Sequence, residues 1–119
     1  MPWRGWPGNE RGASVFLING QNDTTTPEWS VDAMTISGAA SPIEGHGWDP
    51  DPFRVWDTEP SPLPIAGNAV SLDGDPLTIA TWLDSTTGHF TIYDVEEARE
   101  MAIDFLLSAT GGTPTLDLR

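Results

Sequence analysis

The 119-residue chain contains no cysteine and no lysine. Without cysteine it cannot form disulfides, use a thiolate nucleophile or build a cysteine-based zinc site. Its only Lys or Arg residues are five arginines, set against 18 acidic residues, and the net charge is −13. A charge of this sign disfavours direct binding to nucleic-acid phosphates and docking on anionic membranes. It permits a basic protein partner, or it serves solubility alone.

The sequence also lacks any apolar run long enough to span a bilayer, and its first residues contain no apolar signal-peptide core. We therefore expect a protein of cytoplasmic origin without a membrane partner. The length predicts a single domain over residues 1–119, and 38% hydrophobic residues are enough for a modest core.

Two zones are predicted to be irregular because glycine and proline interrupt helices and ladders. Residues 1–12, rich in Gly, Pro and Trp, form an N-terminal arm, and residues 41–64 form a Pro-rich loop or arm. Residues 65–110 are expected to hold the core, made of a hairpin, a strand and a helix.

Short apolar or alternating runs bounded by turn residues predict strands. The Asp73-Gly74-Asp75 turn between two such runs is typical of a hairpin. The predicted strands are Ser14–Asn19, Ala33–Ser37, Asn68–Leu72, Leu77–Leu83 and His89–Tyr93.

A C-terminal helix is predicted from Asp94 to Thr110, with Asp94 and Glu97 as a capping pair and Gly111-Gly112 as the stop. An apolar stripe at helical spacing is expected to face the core. Its members are Val95, Ala98, Met101, Ala102, Phe105, Leu106 and Ala109. Ile103 and Leu107 lie outside it, either as a widened core face or as a partner contact.

These elements predict an α+β fold. A small, mostly antiparallel sheet would carry one amphipathic helix across a face, with long irregular arms rich in Pro, Gly and Trp.

Candidate chemistry is sparse. His46, Asp49 and Asp51 lie close in sequence and could ligate a metal, although their spacing matches no established metal loop. Ser41, His46 and Asp49 could be imagined as a triad, but no nucleophile-elbow motif is present. His89 is expected to be a surface or cross-strand residue. We therefore expect a non-enzymatic protein without a cofactor.

Six tryptophans are many for this length, and most lie in segments predicted to be irregular. Such rings either pin loops onto the sheet or anchor arms on neighbouring subunits. The candidate partner-binding residues are Trp3, Trp6, Trp29, Trp48, Trp56, Ile103 and Leu107.

Residues 70–109 contain the Asp73-Gly74-Asp75 turn, Thr-Ile-Tyr at 91–93, the run 95–102 and Phe-Leu-Leu at 105–107. This stretch resembles small uncharacterised actinobacterial and actinophage proteins. The resemblance implies a source and a strand–strand–helix unit, and it transfers no site residues.

A small core with Trp- and Pro-rich arms favours a structural subunit of a larger homo- or hetero-oligomeric assembly. A phage virion accessory, such as a capsid decoration or head–tail component, is the leading hypothesis. An acidic inhibitor or regulator, possibly a DNA mimic, is the alternative. A metal-dependent enzyme using His46, Asp49 and Asp51 is the third.

Overall fold

A computed structural model describes residues 2–46 and 59–118. The chain begins with a short 3-10 helix, Pro2–Arg4. The elements that follow are β1 Val15–Gly20, α1 Glu28–Ser37, β2 Ser41–Pro42, β3 Ile65–Ala66, β4 Ala69–Val70, β5 Pro76–Leu77, β6 Ile79–Asp84, α2 Thr91–Asp94, α3 Glu96–Ala109 and β7 Thr115–Leu116.

The main sheet has three parallel strands in the order β1-β6-β2. The prediction of a chain that combines helices with a sheet is confirmed. The prediction of a mostly antiparallel sheet holds only for the small ladders β3–β7 and β4–β5, and it is wrong for the main sheet. The reason lies in β6, where both sets of alternating side chains are buried, as is typical of a parallel strand covered on two faces.

Each face of the sheet has its own cover. Ala80 and Trp82 of β6 pack with Met101 and Phe105 of α3. On the other face, Leu83 packs against Val31 of α1. The central strand therefore lies between two helices.

Residues 28–37 form a helix, so the strand predicted over Ala33–Ser37 is wrong. The turn before α1 is fixed by Asp23 Oδ1, which accepts the Thr25 and Thr26 N–H groups at 2.7 and 2.9 Å. Val31 and Thr35, four residues apart, are the buried positions of the helix. A parallel connection between β1 and β2 needs such a crossover, and this tertiary demand outweighs the β-branched composition.

The predicted hairpin is confirmed but short. β4 and β5 pair across a turn in which Gly74 has φ +89°. The second run then breaks at Thr78, whose N–H donates to Ser14 Oγ. Beyond it, the Asn68 side chain bonds both the N–H and the C=O of Ile79, so β6 begins as a separate strand.

The strand predicted over His89–Tyr93 is also wrong, because Thr91–Asp94 makes the single helical turn α2. The Thr91 hydroxyl is buried and donates to the Gly88 carbonyl at 2.8 Å, which starts the turn. Phe90, Ile92 and Tyr93 are left exposed.

The C-terminal helix is confirmed with shifted ends. It begins at Glu96, so Asp94 belongs to α2 and the predicted capping pair is not formed. It ends at Ala109, with Thr110 as the C-cap before the predicted Gly111-Gly112 stop. Among the residues that the structure describes, no helix combines the length and the hydropathy that crossing a membrane requires.

Candidate functional site

Trp3, the first candidate partner-binding residue, is half-buried within its own chain. It packs with Val15 and Leu17 against the α1 side of the sheet. Its Nε1 lies so close to Gly38 that a Cβ built there would be 2.0 Å away. Its carbonyl accepts the Ala13 N–H at 2.6 Å. This ring therefore pins the N-terminal segment onto the sheet.

The other candidate tryptophans differ from Trp3. Trp6 is 59% exposed and Trp29 is 74% exposed. Trp48 and Trp56 lie outside the described residues. Trp6 and Trp3 line a hollow of about 230 Å³ at the N-terminal segment. The indoles of Trp6 and Trp29 are thus available for contacts with another molecule.

The outer side of α3 carries an apolar ridge, formed by Ile103, Leu106 and Leu107. We call it the α3 ridge. Ile103 and Leu107 are exposed, as their position outside the predicted stripe allows. Leu106 was predicted to face the core, yet it is 68% exposed. The buried positions of α3 are only Ala98, Met101 and Phe105, a narrower stripe than predicted.

Beside the ridge lies a groove of about 340 Å³, which we call the α3 groove. It is lined by Phe16, Ile18, Ile92, Ala102, Phe105 and Leu106. Phe16 and Ile18 belong to β1, which is an edge strand of the main sheet. The sequence reasoning missed Leu106 and Ile92 as site residues. Leu106 is adjacent to Leu107 and three positions after Ile103, but its helical spacing also placed it in the predicted core stripe, and no sequence feature marked Ile92.

Four carboxylates lie on the other flank of α3. Glu97, Glu100, Asp104 and Asp117 line a small pocket of about 130 Å³ with Met101 and Leu118. We call these four carboxylates the acidic flank. Because successive helical residues are about 100° apart, the order around α3 is core, groove, ridge and acidic flank.

Both histidines lie beside the carboxyl ends of the three parallel strands, where open α/β sheets usually bind ligands. His89 Nδ1 lies 2.9 Å from Asp23 Oδ2 across the loops that follow β6 and β1. His46, after β2, stacks on the buried ring of Trp82 with centroids 3.5 Å apart. Burial lowers the pKa of His46, although the charges of Glu97 and Asp84 act in the opposite direction.

The carboxylates at this edge are occupied by turn formation. Asp84 Oδ1 accepts the N–H and hydroxyl groups of both Thr86 and Thr87 at 2.8–3.0 Å. Burial raises the pKa of Asp84, but these hydrogen bonds outweigh it and leave the pKa below the ordinary value. Asp23 is arranged similarly: burial raises its pKa, and bonds from Thr26, His89 and Thr25 lower it overall. Both carboxylates therefore build loops.

We expect the Asp84 turn to make the protein acid-sensitive. Its folded-state pKa lies below the ordinary 3.8, so its stabilisation is complete above that value and is lost as pH falls through the folded pKa. Urea denaturation of the wild type and Asp84→Asn, from about pH 7 to about pH 3, should show a stability gap that narrows on acidification. A gap that stays constant over this range would contradict the assignment.

The predicted metal and triad residues are not brought together in the described part of the chain. Asp49 and Asp51 lie outside it, and no group of three described His, Asp or Glu side chains could hold a metal ion. Ser41 Oγ accepts a hydrogen bond from Asn68 Nδ2 at 2.8 Å. His46 contacts an aromatic ring.

The chain matches no model of a protein family, no curated protein and no solved structure.

Proposed function

We propose that the chain is a non-enzymatic assembly subunit that binds another protein through the α3 ridge and the α3 groove. The observation that carries this proposal is the exposure of Ile103, Leu106 and Leu107 beside an apolar groove. Single exposed apolar residues are common, but a contiguous apolar surface on a soluble domain usually marks an interaction site.

The polar edge of the sheet supports the non-enzymatic reading. The carboxylates of Asp23 and Asp84 are engaged by threonine N–H and hydroxyl groups of their own loops. Turn formation accounts for these acids without a reaction.

A phage virion accessory, such as a capsid decoration or head–tail component, is our finer proposal. It is motivated by the exposed indoles of Trp6 and Trp29, and the resemblance of residues 70–109 to small uncharacterised actinobacterial and actinophage proteins implies a compatible source. In such an assembly these rings would supply further contacts, since tryptophan is favoured at interface hot spots. The chain should then co-purify with density-banded particles from its source.

A photo-crosslinking residue at position 106 tests the general proposal in cells of the source. We expect a discrete covalent adduct with a partner protein. The matched control carries the same residue at Leu72, which is also exposed but belongs to the turn between β4 and β5. Equal labelling from both positions, or none from position 106, would remove the support for a binding surface on α3.

An acidic inhibitor, possibly a DNA mimic, is the second candidate, and the acidic flank favours it. Glu97, Glu100, Asp104 and Asp117 line one pocket in a chain of net charge −13. Binding to a nucleic-acid-binding protein would then weaken steeply with added salt. Binding that is unchanged by salt would exclude mimicry.

A further inference from the structure

We infer that the partner segment seated on α3 is an amphipathic helix with a basic flank. This inference rests on the proposed function and names the chemistry of the partner. Its basis is the juxtaposition of the α3 groove, the α3 ridge and the acidic flank on successive sides of one helix.

The apolar half of the surface suits the side chains of a helix. The groove is walled by Phe16 and Ile18 on one side and by Ala102 and Leu106 on the other. The β1 residues of the groove face α3 with their side chains. An occupant of the groove therefore contacts side chains on both walls. Apolar residues three and four positions apart on a helix fit such a groove as successive anchors. A volume of about 340 Å³ accommodates one or two large side chains.

The acidic flank determines which sign of charge the partner should carry. Glu100 lies one turn before Ile103 on the exposed surface, and Glu97 and Asp117 line the same acidic pocket. Glu100 is next to Ile103 and Leu107 around α3, so a helix lying along the ridge with its apolar side toward the groove would place one flank over this carboxylate. Glu97 and Asp117 lie further round α3 in the acidic pocket, where their charges act on that flank at longer range. Lysine or arginine on that flank forms complementary pairs, whereas acidic residues there would be repelled.

The same charge argues against a second copy of this chain as the occupant. Each copy carries a net charge of −13, so association would oppose two strongly acidic surfaces. The chain has only five arginines and no lysine to offset that repulsion. A basic partner instead gains from long-range attraction.

Labelled probe peptides of about five helical turns test the inference by fluorescence anisotropy against the full chain. One peptide has a leucine face and lysines on the flank, a second replaces lysine with glutamate, and a third scrambles the lysine peptide to remove its apolar face. We expect the first to bind at least about tenfold more tightly than the others.

Two variants locate the binding. Leu106→Asp should weaken the lysine peptide about tenfold, while Leu72→Asp should change affinity by less than about twofold. The triple change Glu97→Gln, Glu100→Gln and Asp117→Asn should also weaken it about tenfold at low salt. The matched control is Glu59→Gln, Asp73→Asn and Asp75→Asn, which removes the same charge elsewhere. All replaced side chains are exposed, and circular dichroism checks folding.

Three outcomes would overturn the inference. They are equal binding of the glutamate peptide, equal loss in the control variants, and concentration-dependent dimerisation that Leu106→Asp abolishes, since the occupant would then be a second copy. The proposed function is judged separately. A specific adduct from position 106 without preference for the basic peptide would retain the binding surface and reject only the basic helix.

Discussion

Replacing Gly20 with alanine should lower the free energy of unfolding by about 2–3 kcal/mol. Gly20 is the buried last residue of β1, and the loop after β6 lies directly on it. A Cβ at this position would meet the Gly88 carbonyl oxygen at 2.4 Å, Thr91 Oγ1 at 2.5 Å and the Thr87 carbonyl carbon at 2.7 Å. Two of these atoms belong to the backbone, so relief requires the loop to move.

Movement of the loop after β6 would also disturb hydrogen bonds and packing away from Gly20. The Asn22 N–H donates to the Thr87 carbonyl at 2.9 Å, and the Gln21 N–H donates to the Asp84 carbonyl at 2.8 Å. The same loop leads into α2, whose Ile92 lines the α3 groove. Gly20→Ala should therefore loosen the groove as well as destabilise the fold.

Gly111→Ala is the matched control for this substitution. A Cβ at Gly111 would meet only the Ser108 carbonyl oxygen, at an ordinary 3.7 Å. We expect a change within about 0.5 kcal/mol, measured by urea denaturation at neutral pH. Equal stability of the two variants would show that the loop does not press on Gly20 as described.

The sequence predicted the elements whose signals are local. The run from Ser14 to Asn19 is almost the observed β1, and the periodic stripe with its glycine stop located α3 within two residues. These elements have patterns that tertiary packing reinforces. The Asp73-Gly74-Asp75 turn belongs to the same group, because Gly74 supplies the positive φ that the turn requires.

The sense of the main sheet could not be read in the same way. Alternation along residues 77–83 suits either an antiparallel strand with one dry face or a strand covered on both faces. The second arrangement is formed because α1 covers one face of β6. The sequence of α1 did not predict this, because its β-branched residues at 31, 35 and 36 are typical of a strand. Because α1 and α3 cover opposite faces, β6 became a central parallel strand.

The candidate site was predicted in part for a related reason. Ile103 and Leu107 followed from helical spacing, but Leu106 sits at the border between the core stripe and the outside of α3. Whether a border residue is buried depends on what faces it. Leu106 is exposed because it borders an open groove together with Ala102 and Phe105. The opposite wall of that groove comes from β1, which is more than 80 residues away in sequence.

Trp3→Ala should also be strongly destabilising, by about 2–3 kcal/mol, somewhat less than for a fully buried tryptophan. The ring covers the α1 side of the sheet with Val15 and Leu17 and lies against Gly38. Its loss would release a segment that is bonded to the β4–β5 turn, where the Leu72 N–H donates to the Arg4 carbonyl at 3.0 Å.

Trp6→Ala is the matched control, because the same residue type in the same segment is 59% exposed. Its stability should remain within about 0.5 kcal/mol of the wild type in urea denaturation.

The two variants separate the two roles proposed for the N-terminal tryptophans, which are pinning the segment onto the sheet and contacting a partner. Deleting residues 1–12 would remove Trp3 together with Trp6, so it cannot isolate a partner contact, whereas Trp6→Ala can. If Trp3→Ala were as stable as Trp6→Ala, the N-terminal segment would be held by something other than this ring. If Trp6→Ala retained stability but lost the adduct from position 106, the indole would belong to the same interface as α3.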